Sequence, residues 1–194
     1  DQISLSDKLD IRLGVRYDDY EQELNNRRSE SITNVTESRL SPQFGIVYES
    51  SDSLSLYAAY GENFRPLSGS DADGNGFEPN QSTSMEAGVK FTLNDGGLVG
   101  TVAVFRVEQD NILVVDDPVA FTSAAIGKAK SQGFEIDLNG EIRDDLNLWL
   151  SYTYVDAQTE NVFFDANFGF TVEAGSSLLN IPEQQLNVQL VKST

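Results

Sequence analysis

The sequence predicts an all-β protein, an antiparallel up-and-down β-barrel whose strands cross a membrane. Two observations predict this fold. Apolar and polar residues alternate along most of the chain, and the segments that alternate are joined by short and long connections in turn. A strand turns successive side chains to opposite faces, so the alternation gives one apolar face and one polar face. In a membrane barrel these faces meet lipid and lumen, with tight turns at one rim and loops at the other.

Residues 9–18 show the alternation most clearly and predict a strand over residues 9–20. The apolar or aromatic members are Leu9, Ile11, Leu13, Val15 and Tyr17; between them lie Asp10, Arg12, Gly14, Arg16 and Asp18. Arg12, Arg16 and, on a later strand, Lys90 are predicted to face the lumen. We expect them to pair with acidic residues across strands, namely Asp10, Asp18, Glu86 or Glu135.

The same pattern predicts further strands at residues 2–5, 40–49, 53–61, 84–93, 98–109, 133–142, 146–155 and from 186 onward. Residues 98–109 are apolar on both faces near their middle, so the sequence leaves their facing open. Pro42 lacks an N–H group and is expected near the start of its strand or beside a bulge.

The connections alternate in length. Tight turns are predicted at residues 6–8, 50–52, 94–97 and 144–145, and long loops at 21–38, 62–82, 110–130 and 157–184. In the third loop, apolar residues 112–115 form a short strand or fold inward. A soluble β-sandwich also alternates apolar and polar residues but has no reason to sort its connections by rim. The sorting therefore favours a barrel in a bacterial outer membrane.

Composition excludes several classes of function. The 194 residues contain no Cys and no His, which removes disulfides, zinc sites built from thiolate or imidazole, and His-dependent nucleophiles. The formal net charge of −18 opposes binding to nucleic acid. The chain begins without a signal peptide, so we expect a mature chain or, more readily, a piece of a longer protein.

A series of phrases occurs in order along the chain: residues 41–48 (SPQFGIVY), 55–66 (SLYAAYGENFRP), 77–79 (FEP), 84–91 (SMEAGVKF), 104–113 (VFRVEQDNIL), 131–140 (SQGFEIDLNG), 148–157 (LWLSYTYVDA) and 180–182 (NIP). In this order and spacing they resemble the β-barrel of TonB-dependent siderophore receptors. The resemblance implies a transporter, not an enzyme. It would import ferric siderophores across the outer membrane, powered by the TonB complex of the inner membrane.

Such barrels have about 22 strands and a plugged lumen, whereas about eight strands are predicted here. Nothing in the chain resembles the plug domain, the segment that contacts TonB, or the terminal strand. We therefore expect residues 1–194 to be a single segment, an internal fragment of the later half of the barrel. Its expected partners are outer-membrane lipid, the ferric siderophore and, through the missing plug region, TonB. The isolated fragment is expected to self-associate through open strand edges.

Candidate ligand contacts lie in the predicted extracellular loops: Arg27, Arg28, Phe64, Arg65, Phe163 and Phe164. Guanidinium donors and aromatic faces suit an anionic or aryl ferric chelate. The alternative for each residue, with Phe168 and Phe170 among them, is packing among the loops themselves. No cofactor is expected, because the ferric siderophore is the transported ligand.

Asp71, Asp73 and Asn75 followed by Gly76 resemble the first half of a calcium loop. The Glu expected at the twelfth position of such a loop is Ser82 here. The favoured alternative is an acidic loop tip, with no metal bound.

Two other hypotheses remain open at this point. One is a complete small outer-membrane barrel with a structural or adhesive role. The other is a carboxylate-dependent hydrolase on a soluble β-sandwich, using a pair such as Glu135 and Asp137. Those two residues share a strand face with Asn139 and Glu141, which better fits a polar row facing a lumen.

Overall fold

Nine antiparallel strands form one sheet in which chain neighbours are paired. The computed structural model describes residues 1–26, 31–117, 119 and 122–192. The strands are β1 (Gln2–Ser6), β2 (Leu9–Asn26), β3 (Ser31–Ser51), β4 (Leu54–Arg65), β5 (Asn80–Leu93), β6 (Leu98–Asp117), β7 (Thr122–Arg143), β8 (Leu146–Thr159), β9 (Phe163–Asp165), β10 (Phe170–Val172) and β11 (Gln184–Lys192). The main sheet runs from β1 to β8 and then to β11, while β9 and β10 form a separate hairpin.

The register places the alternating apolar residues of neighbouring strands on one face of the sheet. Apolar residues pair with apolar residues from strand to strand: Leu13 with Phe44, Phe44 with Tyr60, and Tyr60 with Met85. Many of these large side chains are exposed, and Val15 reaches 71%. A soluble monomer does not expose so large an apolar surface. This apolar face therefore fits a hydrocarbon environment, as the alternation predicts.

The structure settles the facing of residues 98–109. Val102 and Val104 pair with Ile136 and Phe134 and so lie on the apolar face. Phe105 lies on the polar face opposite Gly133. A Cβ added to Gly133 would come within 3.1 Å of the Phe105 ring. The large apolar side chain on the polar face of β6 thus packs beside a glycine of the neighbouring strand.

The four predicted tight turns join strands at one rim, as expected, but two of the four predicted long loops at the other rim are largely strand. The β2–β3 ladder continues without interruption from Tyr17 and Leu40 to Asn26 and Ser31, inside the predicted loop 21–38. Likewise β6 and β7 remain paired as far as Asp117 and Thr122. Residues 112–115 are therefore strand, after an irregularity at Asn111, whose φ is 57°. Residues 21–26 pair with residues 31–36 in a continuous backbone ladder, although apolar and polar residues do not alternate strictly there.

Pro42 lies inside β3, so its expected place at a strand start or beside a bulge is wrong. It pairs with Val15 on β2, while the ladder of β3 with β4 ends one residue away, at Gln43 and Gly61. Among the described residues, no strand ladder continues along β3 on the β4 side beyond that point. A missing N–H group is tolerated on such a free edge.

The sheet is open. Within the described ranges β1 and β11 are its two edges, and no ladder joins them. The alternative of a small barrel closed by these strands is therefore wrong. No helix in the described part of the chain is long and apolar enough to cross a membrane.

Candidate functional site: the polar wall and the loop rim

The face opposite the apolar one is a polar wall built mainly from small and charged residues. Two adjacent rows cross β2 to β5 on this wall. One row is Gly14, Gln43, Gly61 and Ser84, and the next is Arg12, Gly45, Ala59 and Glu86. Four of the eight positions are Gly or Ala, so little side chain covers the backbone in these two rows. Another molecule can approach this part of the wall closely.

The three cationic side chains of the polar wall, Arg12, Arg16 and Lys90, have different surroundings. Arg16 forms an ion pair with Asp18 at 2.6 Å, a predicted partner that lies on the same strand instead of across the sheet. Lys90 was expected to pair with a carboxylate, but its Nζ lies 5.0 Å from the centre of the Tyr57 ring. The Tyr57 hydroxyl donates a 2.5 Å hydrogen bond to Glu86. Among the described residues no carboxylate lies within ion-pair distance of Arg12.

At the loop rim, the connection between β4 and β5 is fixed against the β2–β3 ribbon. The Gln22 side chain donates to the Ser68 hydroxyl at 3.0 Å, and the Thr33 hydroxyl donates to the Gly74 carbonyl at 2.7 Å. Arg39 donates to the Gln81 side chain at 2.5 Å. Phe64, Leu67 and Phe77 are buried in this region. The loop therefore has a small apolar core of its own.

The connection between β8 and β11 is hydrogen-bonded to the ends of β6, β7 and β8 that lie at the loop rim. The Asn161 side chain accepts from the Lys128 amide at 2.8 Å and donates to the Ile126 carbonyl at 2.7 Å. The Thr159 hydroxyl donates to the Glu173 carbonyl at 2.9 Å. The Ala166 amide donates to the Val115 carbonyl at 3.0 Å. This anchoring holds the β9–β10 hairpin at the rim.

The structure separates the predicted ligand contacts. Phe64 is only 9% exposed and belongs to the core of the β4–β5 loop, whereas Arg65, the last residue of β4, is exposed. Phe163 is half-buried and Phe164 is 52% exposed on β9. The Arg65 and Phe163–Phe164 positions are on different loops of the same rim. Arg27 and Arg28 lie outside the described residues.

The segment with Asp71, Asp73 and Asn75 is a tight turn. The Asp71 carboxylate accepts hydrogen bonds from the backbone amides of Asp73 at 3.0 Å and Asn75 at 2.8 Å, and from the Asn75 side chain at 3.1 Å. These bonds, led by those from Asn75, hold the pKa of Asp71 below its usual value. Ser82 is inside β5, and the described residues contain no cluster of three acidic side chains placed to hold a metal ion. The geometry favours the loop-tip interpretation.

A polar junction that was not predicted from the sequence lies at the base of the rim. Asn80 is buried; its side chain donates to the Asp110 carbonyl at 2.7 Å and accepts from the Gln109 side chain at 2.7 Å. The Asn111 side chain donates to the Pro79 carbonyl at 2.9 Å. The junction ties the β4–β5 loop to β6. Asn at positions 80 and 111 was the available signal, since Asn tolerates positive φ and bonds to nearby backbone.

A family model described as "TonB dependent receptor-like, beta-barrel" matches residues 1–192. The chain belongs to the TonB-dependent receptor family. The "Metal-pseudopaline receptor CntO" of Pseudomonas aeruginosa is 34% identical over 189 residues, which are 94% of this chain and 26% of that protein. The "Ferrichrome outer membrane transporter/phage receptor" of Escherichia coli is 34% identical over 156 residues, 78% of this chain and 20% of that protein.

Solved TonB-dependent receptors have the same fold. The crystal structure of the siderophore receptor PiuA from Acinetobacter baumannii matches with a TM-score of 0.77 and 26% identity, covering 98% of this chain and 30% of that one. The ferripyoverdine receptor of the Pseudomonas aeruginosa outer membrane, bound to ferripyoverdine, matches with a TM-score of 0.74 and 25% identity, covering 97% and 24%.

Membership in the TonB-dependent receptor family fixes two points. The protein is a component of the bacterial outer membrane, and its family comprises transporters, not enzymes. The hydrolase hypothesis for Glu135 and Asp137 is therefore wrong; both residues lie on the polar wall, opposite Thr153 and Ser151. The chain spans about a quarter of the length of CntO.

Proposed function

We propose that this chain is a wall section of an outer-membrane receptor that binds metal chelates and imports them. The observation that carries the proposal is the family match over residues 1–192, joined to relatives named for metal-pseudopaline and ferrichrome. The chelate class that suits it best is a ferric siderophore or a related metallophore. The wall's lipid face holds it in the membrane, and its polar face borders the path of the chelate.

At the loop rim, Arg65, Phe163 and Phe164 contact the chelate, together with Arg27 and Arg28 outside the described residues. Arg65 is exposed and supplies guanidinium donors for anionic oxygens of the chelate. Phe164 presents an exposed ring to its organic part. Phe64 acts indirectly, because it is buried and holds the β4–β5 loop in place.

Energy for import comes from the TonB complex, which acts through a plug domain encoded elsewhere in the parent protein. A plug domain upstream of this segment and further strands downstream are the expected arrangement.

The experiment is uptake of an iron-55 chelate by cells that carry the full-length receptor as their sole importer for it. Uptake that requires both the receptor and TonB supports the proposal. A full-length receptor that neither binds nor imports any of a panel of hydroxamate, catecholate and carboxylate chelates would contradict it.

Two arginine variants test the rim contacts. Arg65→Ala is expected to weaken chelate binding about tenfold, the value of one charge-assisted hydrogen bond of roughly 1.4 kcal/mol. Arg143→Ala is the matched control, because Arg143 lies at the opposite rim and pairs with Asp145. Equal effects of the two variants on binding would show that Arg65 does not contact the chelate.

A further inference from the structure

An exposed indole lies on the polar wall near the turn rim. Trp149 is 41% exposed and is the fourth residue of β8, on the polar face between Asn139 of β7 and Gln189 of β11. These three side chains border a cavity of about 730 Å³, which we name the Trp149 cavity. Its volume falls inside the roughly 300–1,000 Å³ range of small-molecule sites.

The lining of the Trp149 cavity is an aromatic ring surrounded by hydrogen-bonding groups. Six of its members lie on the polar face: Asp137, Asn139, Trp149, Ser151, Asn187 and Gln189. The lining is completed by Leu138, Leu150, Leu186 and Val188. These four alternate with the six along their strands, so their side chains point to the apolar face and their backbone lines the cavity. Within the described part of the chain, none of the six polar-face side chains has a hydrogen bond, an ion pair or a ring contact.

The charge around the Trp149 cavity is negative. The polar face of β7 carries three carboxylates, Glu135, Asp137 and Glu141. Between the two rims, the described residues of β7, β8 and β11 place no Lys or Arg on that face. Arg143 lies at the turn, where it pairs with Asp145 at 3.5 Å. A ligand with a net negative charge is therefore repelled from the cavity, whereas a neutral or cationic ligand is not.

The side chains of the cavity indicate the class of its ligand. The indole presents a flat apolar surface and one N–H donor, and Asn139, Asn187 and Gln189 each supply an amide donor and an amide acceptor. A ferric tris-hydroxamate meets both requirements. Its carbonyl groups and its hydrocarbon or peptide scaffold suit the amides and the ring, and its three singly charged hydroxamates balance Fe³⁺. A ferric tris-catecholate keeps a net negative charge, because each catecholate carries two negative charges, and is disfavoured.

We propose that the Trp149 cavity is a second chelate site of the receptor, which binds a ferric hydroxamate with its organic scaffold on the indole and its polar groups on Asn139, Asn187 and Gln189. The site is separate from the contacts at the loop rim. Trp149 lies ten steps of about 3.3 Å before Thr159, the last residue of β8, or roughly 33 Å along the strand. This inference rests on the proposed function and adds to it the substrate class and a second position on the path of the chelate.

The test is fluorine NMR of the full-length receptor in detergent micelles, where a chelate can reach the wall from both rims. Val191→Cys, in an otherwise cysteine-free receptor, carries a trifluoromethyl label on the polar wall, where Val191 pairs with Asn147. The label is two residues from Gln189, roughly 7 Å along the strand. Paramagnetic Fe³⁺ in the cavity is expected to broaden its signal, whereas the same chelate loaded with diamagnetic Ga³⁺ is not. A chelate at the loop rim is too far away to broaden it.

Substitutions at adjacent residues of β8 test the role of the indole. Trp149→Ala is expected to raise the chelate concentration for half-maximal broadening about tenfold, because a large aromatic contact is lost. Leu148→Ala is the matched control and is expected to leave that concentration unchanged, because Leu148 pairs with Gly140 and Leu190 on the apolar face. Gln189→Ala, which removes an exposed amide, is expected to raise it about fivefold and decides the matter if Trp149→Ala does not fold. Thermal unfolding checks each variant.

A ferric tris-catecholate at the same concentration is expected to leave the signal sharp. The proposal is overturned if the ferric hydroxamate does not broaden the signal, if neither Trp149→Ala nor Gln189→Ala weakens its binding, or if the tris-catecholate broadens the signal as strongly. Uptake of the iron-55 hydroxamate is measured on the unsubstituted receptor. Broadening that depends on Trp149 without uptake would refute the proposed function alone, whereas uptake without broadening would refute the second site alone.

Discussion

An arginine placed at the centre of the apolar face gives the sharpest test of which face meets lipid. Val188 is the middle residue of β11 and pairs with Leu150 at the centre of a ladder that runs from Gln184 to Lys192. Its side chain is 55% exposed, so an arginine there meets no steric obstacle. The matched control is Asn187→Arg, because Asn187 is the next residue and lies on the polar wall opposite Ser151.

The expected loss of folding stability in Val188→Arg depends on how deep residue 188 lies in the membrane. Apolar residues of β2 extend from Leu9 to Tyr17, eight steps of about 3.3 Å, or roughly 26 Å along the strand. With the strand tilt of about 40° that is usual in such barrels, this length rises roughly 20 Å and spans most of the ~25 Å apolar band. An arginine on the lipid face costs about 2–4 kcal/mol at the midplane and about 0–1 kcal/mol near the interfaces. Val188→Arg should therefore lower the folded-to-unfolded ratio roughly 30- to 700-fold.

The assay is reversible denaturant unfolding of the full-length receptor in bilayers, followed by tryptophan fluorescence. Val188→Arg is expected to lower the free energy of unfolding by the midplane amount, and Leu190→Arg, nearer the turn rim, by less. Asn187→Arg is expected to change it by less than about 0.5 kcal/mol. If Asn187→Arg costs as much as Val188→Arg, the assignment of lipid and lumen faces is refuted.

Three further predictions follow from other parts of the structure. Gly133→Ala is expected to lower the free energy of unfolding by about 1–3 kcal/mol, because the added Cβ would overlap the Tyr154 carbonyl. Gly14→Ala is the control and is expected to cost little in the same unfolding assay, because the nearest atom would lie 3.6 Å from its added Cβ. The Asp71 turn is expected to be intact above the ordinary carboxyl range and to open as pH falls through the lowered pKa of Asp71, seen as faster hydrogen exchange at Asn75; Asp71→Asn should abolish that pH dependence. The 194-residue chain in detergent-free buffer is expected to form oligomers through the free edges of β1 and β11, and light scattering from a clean monomer would contradict this.

The membrane-spanning strands were predictable because each residue there meets one of two solvents. The alternation from Leu9 to Tyr17 reports directly on lipid and lumen, so the strands and, except at residues 98–109, the facing of their side chains followed from the sequence. Beyond the membrane-spanning part, side chains are no longer sorted between lipid and lumen, and this signal ends. For that reason the pairing of residues 21–26 with residues 31–36 is absent from the prediction, which places a loop there.

The loop rim was less predictable because its contacts join residues far apart in the chain. Phe64 looked like an exposed loop aromatic, but residues 66–79 fold against the β2–β3 ribbon and it becomes buried. Lys90 looked like half of an ion pair, yet the strand register places the Tyr57 ring beside it. Neither contact has a local sequence pattern. Each depends on which strands lie side by side.

The most direct measurement of the central claim is a nitroxide scan of β8 from residue 146 to residue 154, in the full-length receptor reconstituted in bilayers. Collision rates are measured with oxygen, which concentrates in lipid, and with a polar nickel chelate. The account predicts oxygen maxima at 148, 150 and 152, and oxygen minima at 147, 149 and 151, where the side chains lie on the polar wall. Collision rates without a two-residue period, or with the oxygen maxima at 147, 149 and 151, would contradict it.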